Sequence, residues 1–353
     1  MVKQKYSGLI VSLSAVLAGL IVGGIIMLVF GYSPLQNYGN LLNGAFGDIY
    51  SIGETLRNAA PLMLTGLGFS IASRAGFFNI GGSGQYLVGW FGSIIFALKF
   101  SFLPGWLLII GALIAGSLLG GIWSWIAGFL RAYFGTSEVI TTIMLNYIAL
   151  YFVNFAVKQW FAAKGADASA NILKKASLRV SWLTKLTDNS TFNMGFLIAL
   201  IFIVIMWVYM TKTKSGFEIN SVGLNPQASK YAGIDTKKTI MIAMLLSGVL
   251  AGLAGCIDGL GNYQNISVSN SLPNIGFDGM AVALLANEHP IGIVFASILF
   301  SALQIGGLSI SVYSTTPPEI VDIVIASIIF FVGIRYLFER LIAPMLQKKG
   351  VKN

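Results

Sequence analysis

The chain alternates between long apolar runs and shorter polar stretches. The runs fall at about 8–30, 59–73, 80–98, 104–130, 139–157, 194–211, 239–261, 276–286, 290–312 and 318–337. Ile10 to Phe30 and Phe102 to Leu130 carry no charge, and each exceeds the ~20 residues an α-helix needs to cross a bilayer. The runs are continuous, where barrel strands alternate apolar and polar positions, so they read as helices. The pattern predicts an all-α, polytopic integral membrane protein of about ten transmembrane helices, two of them short. The first run follows Lys3 and Lys5. It is too long for the apolar core of a signal peptide, and Gly31-Tyr32-Ser33-Pro34 is a poor cleavage site, so it reads as a retained first helix.

One polar, glycine-rich stretch stands out, Phe77-Phe78-Asn79-Ile80-Gly81-Gly82-Ser83-Gly84-Gln85. Its N-I-G-x-x-G core returns as Asn274-Ile275-Gly276-Phe277-Asp278-Gly279, 195 residues later. The repeat predicts two related halves, about 8–157 and 194–337, within one transmembrane domain spanning 1–353. Lys and Arg set the orientation. With the N-terminus inside, fourteen basic residues fall inside: Lys3, Lys5, Arg74, Arg131, Lys212, Lys214, Lys230, Lys237, Lys238, Arg335, Arg340, Lys348, Lys349 and Lys352. Eight fall outside: Arg57, Lys99, Lys158, Lys164, Lys174, Lys175, Arg179 and Lys185. Both termini are therefore expected in the cytoplasm, with the protein in the cell membrane. Five crossings per half make the second half inverted relative to the first. Inverted repeats with helices broken at matching points mark a transport path.

Composition agrees. The hydrophobic share is 56% and the charged share 10%, where soluble domains carry about 25% charge, and mean hydropathy is +0.80. The excess of 22 Lys and Arg over 13 Asp and Glu follows from the inside loops, and nucleic acid is not needed to explain it. One histidine, His289, and one cysteine, Cys256, exclude most metal clusters and Cys/His nucleophilic sites. G-x-x-x-x-G-K-[S/T] and G-x-S-x-G are both absent, so the chain has no P-loop for ATP. No catalytic or metal-ligating residue is expected, and no cofactor in this chain. The glycine pairs Gly19/Gly23, Gly116/Gly120, Gly248/Gly252 and Gly255/Gly259 have the spacing of close helix packing.

Ionisable groups inside a membrane are costly and mark function. Asp258 and Asp278 qualify, each without an intramembrane Arg or Lys partner in the sequence, so an ion relay has little support. Uncharged polar groups are richer. They gather as Asn79, Ser83 and Gln85; as Asn146, Tyr147 and Asn154; and as Asn262, Tyr263, Gln264, Asn265 and Asn274. Phe78, Asn79, Gln85, Asn146, Tyr147, Asn262, Asn274 and Asp278 are the candidate pathway residues. Amides and aromatic rings suit a neutral, ring-containing polar solute. The same groups suit interhelical hydrogen bonds, and the sequence leaves both readings open.

Two loops are long. The outer loop 158–193 holds Trp160, Trp182 and six basic residues; it reads either as a solvated linker or as a docking surface for an outside partner. In the inner segment 212–238, Asn225 suits an N-cap, Pro226 the first helical position and Gly233 a stop. These predict a short surface helix from Pro226 to Ala232, with Ala228, Tyr231 and Ala232 suited to a partner's groove.

These residues carry a resemblance. Gly53-Glu54-Thr55-Leu56-Arg57-Asn58-Ala59-Ala60-Pro61 and Arg74-Ala75-Gly76 leading into the first break resemble permease subunits of ABC importers, in the branch that serves branched-chain amino acids, simple sugars and nucleosides. Gly223, Asn225, Ala228, Tyr231, Ala232 and Gly233 match that family's cytoplasmic coupling segment. Gly276 to Leu285, then His289-Pro290, resemble the nucleoside-type members. The resemblance spans about 50–340. It implies nucleoside import, with a ribose-like sugar as the alternative; apart from the resemblance, the inverted repeats leave an ion-coupled secondary transporter as a further reading. It implies a second homologous permease, two ATP-binding subunits that bind ATP and Mg, an extracytoplasmic substrate-binding lipoprotein and a surrounding lipid bilayer. Two positions depart from the family pattern: Ser229 where a second alanine is frequent, and Ser83 where an acidic residue is frequent.

Overall fold

Helices coincide with every apolar run. The computed structural model describes residues 2–163, 165–314 and 316–334, with backbone alone at 2–13, 318, 328, 329 and 332. Lys164, Arg335, Arg340, Lys348, Lys349, Lys352 and the end of the last apolar run lie outside the described residues, as do the side chains of Lys3 and Lys5. The first six helices are α1 (Val2–Val29), α2 (Pro34–Phe46), α3 (Ile49–Arg74), α4 (Gly82–Lys99), α5 (Gly105–Phe134) and α6 (Glu138–Ala156). They are followed by α7 (Ser181–Leu186), α8 (Gly195–Lys212), α9 (Lys214–Leu224), α10 (Pro226–Tyr231) and α11 (Thr236–Asp258), and finally by α12 (Ile275–Leu285), α13 (Pro290–Tyr313) and α14 (Pro318–Gly333). Among the described residues, β-pairing is limited to two isolated bridges. The protein is all-α and polytopic.

Among the described residues, five helical segments are long and apolar enough to cross a membrane by length and composition, at 105–134, 138–161, 195–212, 236–263 and 290–313. The helix at 49–74 corrects the expected short crossing at 59–73: it has 26 residues, and Asp48 caps it by accepting a hydrogen bond from Ser51 N. Polar residues at its start broke the apolar run early. Helix α12 does stay short, at 11 residues. Helix α2 was not legible as a run because only one face is apolar; Asn37, Leu41 and Ala45 turn inward.

Helix α3 is the central post, buried almost continuously from Ala59 to Ala72. It packs on α11, α12, α13 and α8, while α4, α5 and α11 form a tight triplet beside it. Glycine makes the triplet possible. A Cβ at Gly120 would lie 2.6 Å from Gly252 Cα, and one at Gly89 2.4 Å from it. Of the expected small-residue pairs, Gly116/Gly120 and Gly248/Gly252 face one another across α5 and α11, which lets backbones meet where lipid provides no hydrophobic drive.

The outer segment is not a bare linker. It begins with a π-helical turn, Val157–Phe161, and contains α7. Backbone bonds Ser169 N to Ile266 O, Ile172 N to Gln264 O and Leu178 N to Leu260 O stitch it to the stretch that leaves α11.

Candidate functional site

The two N-I-G-x-x-G copies meet. Gly82 opens α4 and Gly276 lies in the first turn of α12, so two helix N-termini converge on one point. A Cβ at Gly82 would lie 3.2 Å from Gly276 Cα, and one at Gly276 would lie 2.2 Å from Ser83 N. The Ser83 hydroxyl donates across the junction to Pro273 O at 2.7 Å. Close approach is what these glycines provide. Gly81 has an ordinary φ of −75°, so the turn into α4 does not depend on its special conformational freedom. The left-handed residue of this turn is Gly76, φ +75°.

Amide side chains lock the first break. Asn79 Nδ2 donates to Gln85 Oε1 at 3.1 Å and to Ser247 Oγ at 2.9 Å. Asn79 Oδ1 accepts from Gly81 N at 2.9 Å and Gln85 Nε2 at 3.1 Å. All four hydrogen-bonding positions of this amide are thus filled by the chain. Asn146 Oδ1 accepts from Gly84 N at 2.8 Å, and its Nδ2 donates to Ile80 O at 3.0 Å. Asn79 and Asn146 satisfy backbone groups at the break, and Gln85 braces Asn79. All three are buried.

A second polar track crosses the bundle beside the junction. Asn58 Nδ2 on α3 donates to Gln304 Oε1 on α13 at 2.7 Å, and Gln304 Nε2 donates to Asp278 Oδ2 on α12 at 3.0 Å. Asp278 also sits in the first turn of α12, where the helix dipole favours an acid. Gln304 lines a cavity of about 150 Å³ between α13 and α14, together with Ser311 and Asp322.

A third cluster lies at the other end of α11. Arg57 NH1 is 3.8 Å from Asp258 Oδ1, which corrects the expectation that Asp258 has no basic partner. Arg57 and Asp258 are 201 positions apart, and no local pattern joins them. Tyr86 OH donates to Asp258 Oδ2 at 2.7 Å, and Arg57 Nε is 3.0 Å from Glu54 Oε2. Asn262 belongs to a π-helical turn, Gly259–Tyr263, whose carbonyls at Gly261 and Asn262 accept from Arg179 at 2.7 and 2.6 Å. Burial among these groups lowers the Arg179 pKa from its usual value.

The remaining candidates stand apart. Phe78 is half exposed and edge-on to Phe69, with ring centroids 5.3 Å apart. Tyr147 is exposed although its neighbour Asn146 is buried, and Asn274 is exposed. Asn154 binds the loop after α11, donating to Ser269 O at 2.8 Å. Sequence reasoning missed Asn58, Tyr86, Ser247 and Gln304. Ser247 and Gln304 carried a usable signal, a polar side chain deep in an apolar run.

Helix α10 forms as the sequence expected. Asn225 caps it by accepting from Ala228 N at 3.0 Å, and Gly233 follows it with φ +85°. Ala228, Tyr231 and Ala232 are exposed, Tyr231 at 95%. Ser229 is buried against the chain itself, so this departure from the family pattern falls on the inner face of α10 rather than on the outward one. Gly223 seats the segment: a Cβ there would lie 1.9 Å from Arg74 O.

Residues 51–333 match the family model for branched-chain amino acid transport system / permease component. The nucleoside ABC transporter permease protein NupB of Lactococcus lactis subsp. cremoris is 47% identical over 95% of this chain and 93% of its own. The guanosine ABC transporter permease protein NupP of Bacillus subtilis is 44% identical over 98% of this chain and 99% of its own. A glucose ABC transporter permease of Haloferax volcanii is 29% identical over 92% of this chain and 87% of its own. No solved structure matches.

Proposed function

The chain belongs to the permease family of branched-chain amino acid transport systems, and on that premise we propose that it is the membrane subunit of an ABC importer that carries nucleosides. The observation that carries the solute class is near full-length similarity to relatives named for nucleosides and guanosine, against 29% identity to one named for glucose. A track of neutral amides beside a half-buried acid, Asn58–Gln304–Asp278, supports a polar, uncharged solute: such amides hydrogen-bond sugar hydroxyls and base edges without binding a fixed charge.

The partners follow from the same reading. Exposed Ala228, Tyr231 and Ala232 on α10 enter a groove on a cytoplasmic ATP-binding subunit, one for each of two permeases, and those subunits hold ATP and Mg and supply the energy. A second, homologous permease completes the membrane unit. The outer segment 158–193 receives the substrate-binding lipoprotein. The orientation with both termini inside rests on the basic-residue count, and the ion pairs agree with its division of the loops into two sides. Arg57–Asp258, Arg74–Glu288, Arg131–Glu138 and Lys158–Asp167 each join residues that the basic-residue count assigns to one side. The converging half-helices α4 and α12 form the gate, as at matched breaks of inverted repeats.

A binding screen of the lipoprotein encoded beside this chain tests the solute. Calorimetry is expected to show tight guanosine or adenosine binding and none of free ribose; ribose binding without nucleoside binding would replace the proposal with the sugar reading.

A further inference from the structure

Glu288 occupies an unusual place. It ends the turn between α12 and α13 with φ +57°, directly after Asn287 at +51°. Consecutive left-handed residues that are not glycine are uncommon and persist only when their surroundings hold them. Here they do. Glu288 N donates to Ala283 O at 2.8 Å. Glu288 O accepts from Ser70 Oγ at 3.0 Å and from Arg74 NH2 at 2.7 Å. Its carboxylate accepts from Ser73 Oγ and lies 3.9 Å from Arg74 Nε. The last turn of α3 thus grips the inner end of α12 through three side chains.

The same turn of α3 seats the coupling segment on its backbone. Gly223, at the end of α9, packs on Arg74 O, and Gly76, φ +75°, approaches Gly223 Cα. Beyond the grip, α12 is only 11 residues long, about 16 Å at 1.5 Å per residue. Its far end is Gly276, in contact with Gly82 and Ser83. A continuous packed path therefore runs from α9–α10 through Arg74 and Glu288 to the junction of the two broken helices.

We infer that Arg74 and Glu288 form a clasp that stays closed throughout the transport cycle, so that the coupling segment, the inner end of α3 and half-helix α12 move as one body. Glu288 is then a positioning residue for the gate: it touches no solute and acts through α12. Glycine would adopt this backbone without strain. What glutamate adds there is its carboxylate, which accepts from Ser73 Oγ and faces Arg74, while the Glu288 carbonyl holds Ser70 and Arg74 on its own. The inference rests on the importer reading above.

Glu288→Gly separates the two roles, because it relieves the backbone while removing the carboxylate. The assembled transporter, with its ATP-binding subunits and lipoprotein, is reconstituted in liposomes, and labelled guanosine uptake and ATP hydrolysis are read together. The double variant Arg74→Met/Glu288→Gly, which also removes the Arg74 bond to the Glu288 carbonyl, is expected to raise ATP hydrolysed per guanosine imported at least fivefold, with Glu288→Gly alone intermediate and its melting temperature unchanged or raised. An unchanged ratio, or uptake and hydrolysis falling in parallel, overturns the inference. A second measurement joins Ser73→Cys to Glu288→Cys with a short bis-thiosulfonate in a Cys256→Ala background. Coupling that is impaired in the double-cysteine variant and restored by the cross-link supports a clasp that never opens, and uptake abolished by the cross-link and recovered on reduction overturns it. If the unmodified complex moves labelled ribose and not guanosine, the nucleoside reading fails instead, and the same ratio is taken with ribose.

Discussion

A methyl group added to Gly276 would stand 2.2 Å from the backbone nitrogen of Ser83. Two segments 195 residues apart in sequence thus share one point of backbone contact, and neither has room for a side chain on the Gly276 side. At Gly82 the corresponding approach is 3.2 Å, which a shift of a few tenths of an ångström relieves. Gly276→Ala is expected to destabilise the protein by about 1–3 kcal/mol and abolish uptake, whereas Gly82→Ala keeps substantial activity. Thermal denaturation in detergent and uptake by the two variants check this order. Equal effects would show that the junction is not tight at Gly276.

Asn79 is the most fully engaged side chain at the first break. Asn79→Ala leaves Gly81 N, Gln85 and Ser247 without their partner, at about 1–3 kcal/mol for each buried group left unsatisfied. A large drop in melting temperature is expected, with the apparent KM for guanosine unchanged in the protein that remains folded. A normal melting temperature with a tenfold higher KM would instead place Asn79 in contact with solute.

Arg57 and Asp258 are 13% and 10% exposed at their side chains. Removing one partner of a buried pair costs about 3–5 kcal/mol. Arg57→Ala is therefore expected to destabilise strongly. Asp258→Asn is milder, because the Tyr86 hydroxyl still has an oxygen to donate to. Denaturation midpoints of the two variants measure the difference, and an Asp258→Asn variant as unstable as Arg57→Ala would contradict the account of this cluster.

The outward face of α10 makes a different kind of prediction. Ala228→Trp and Ala232→Trp fill exposed positions, so their melting temperatures match the parent. Copurification of the ATP-binding subunits and ATP-driven uptake are both expected to fall at least tenfold. Wild-type transport in either variant would remove α10 from the ATPase interface.

Much of the architecture was legible because bilayer thickness and helix rise dictate run length: ten runs became ten helices. The N-I-G-x-x-G repeat also carried real information, since its two copies touch. What the sequence concealed was tertiary. The start of α3 was hidden by Glu54, Arg57 and Asn58, polar residues tolerated in a helix because neighbouring helices enclose and pair them. Helix α2 was hidden because only one of its faces is apolar. Asp258 looked unpaired because Arg57 belongs to the other half of the chain. The amide-rich break looked equally suited to solute and to structure. Only the geometry shows that Asn79, Gln85 and Asn146 bond to the protein, while the Asn58–Gln304–Asp278 track reaches a cavity.

The most direct test of the central claim is uptake of labelled guanosine into liposomes holding this chain with its partner permease, ATP-binding subunits and lipoprotein. Uptake is expected to require ATP, to be competed by other nucleosides, to ignore ribose and to proceed without an ion gradient. Uptake by this chain alone, driven by a proton or sodium gradient without ATP, would contradict it.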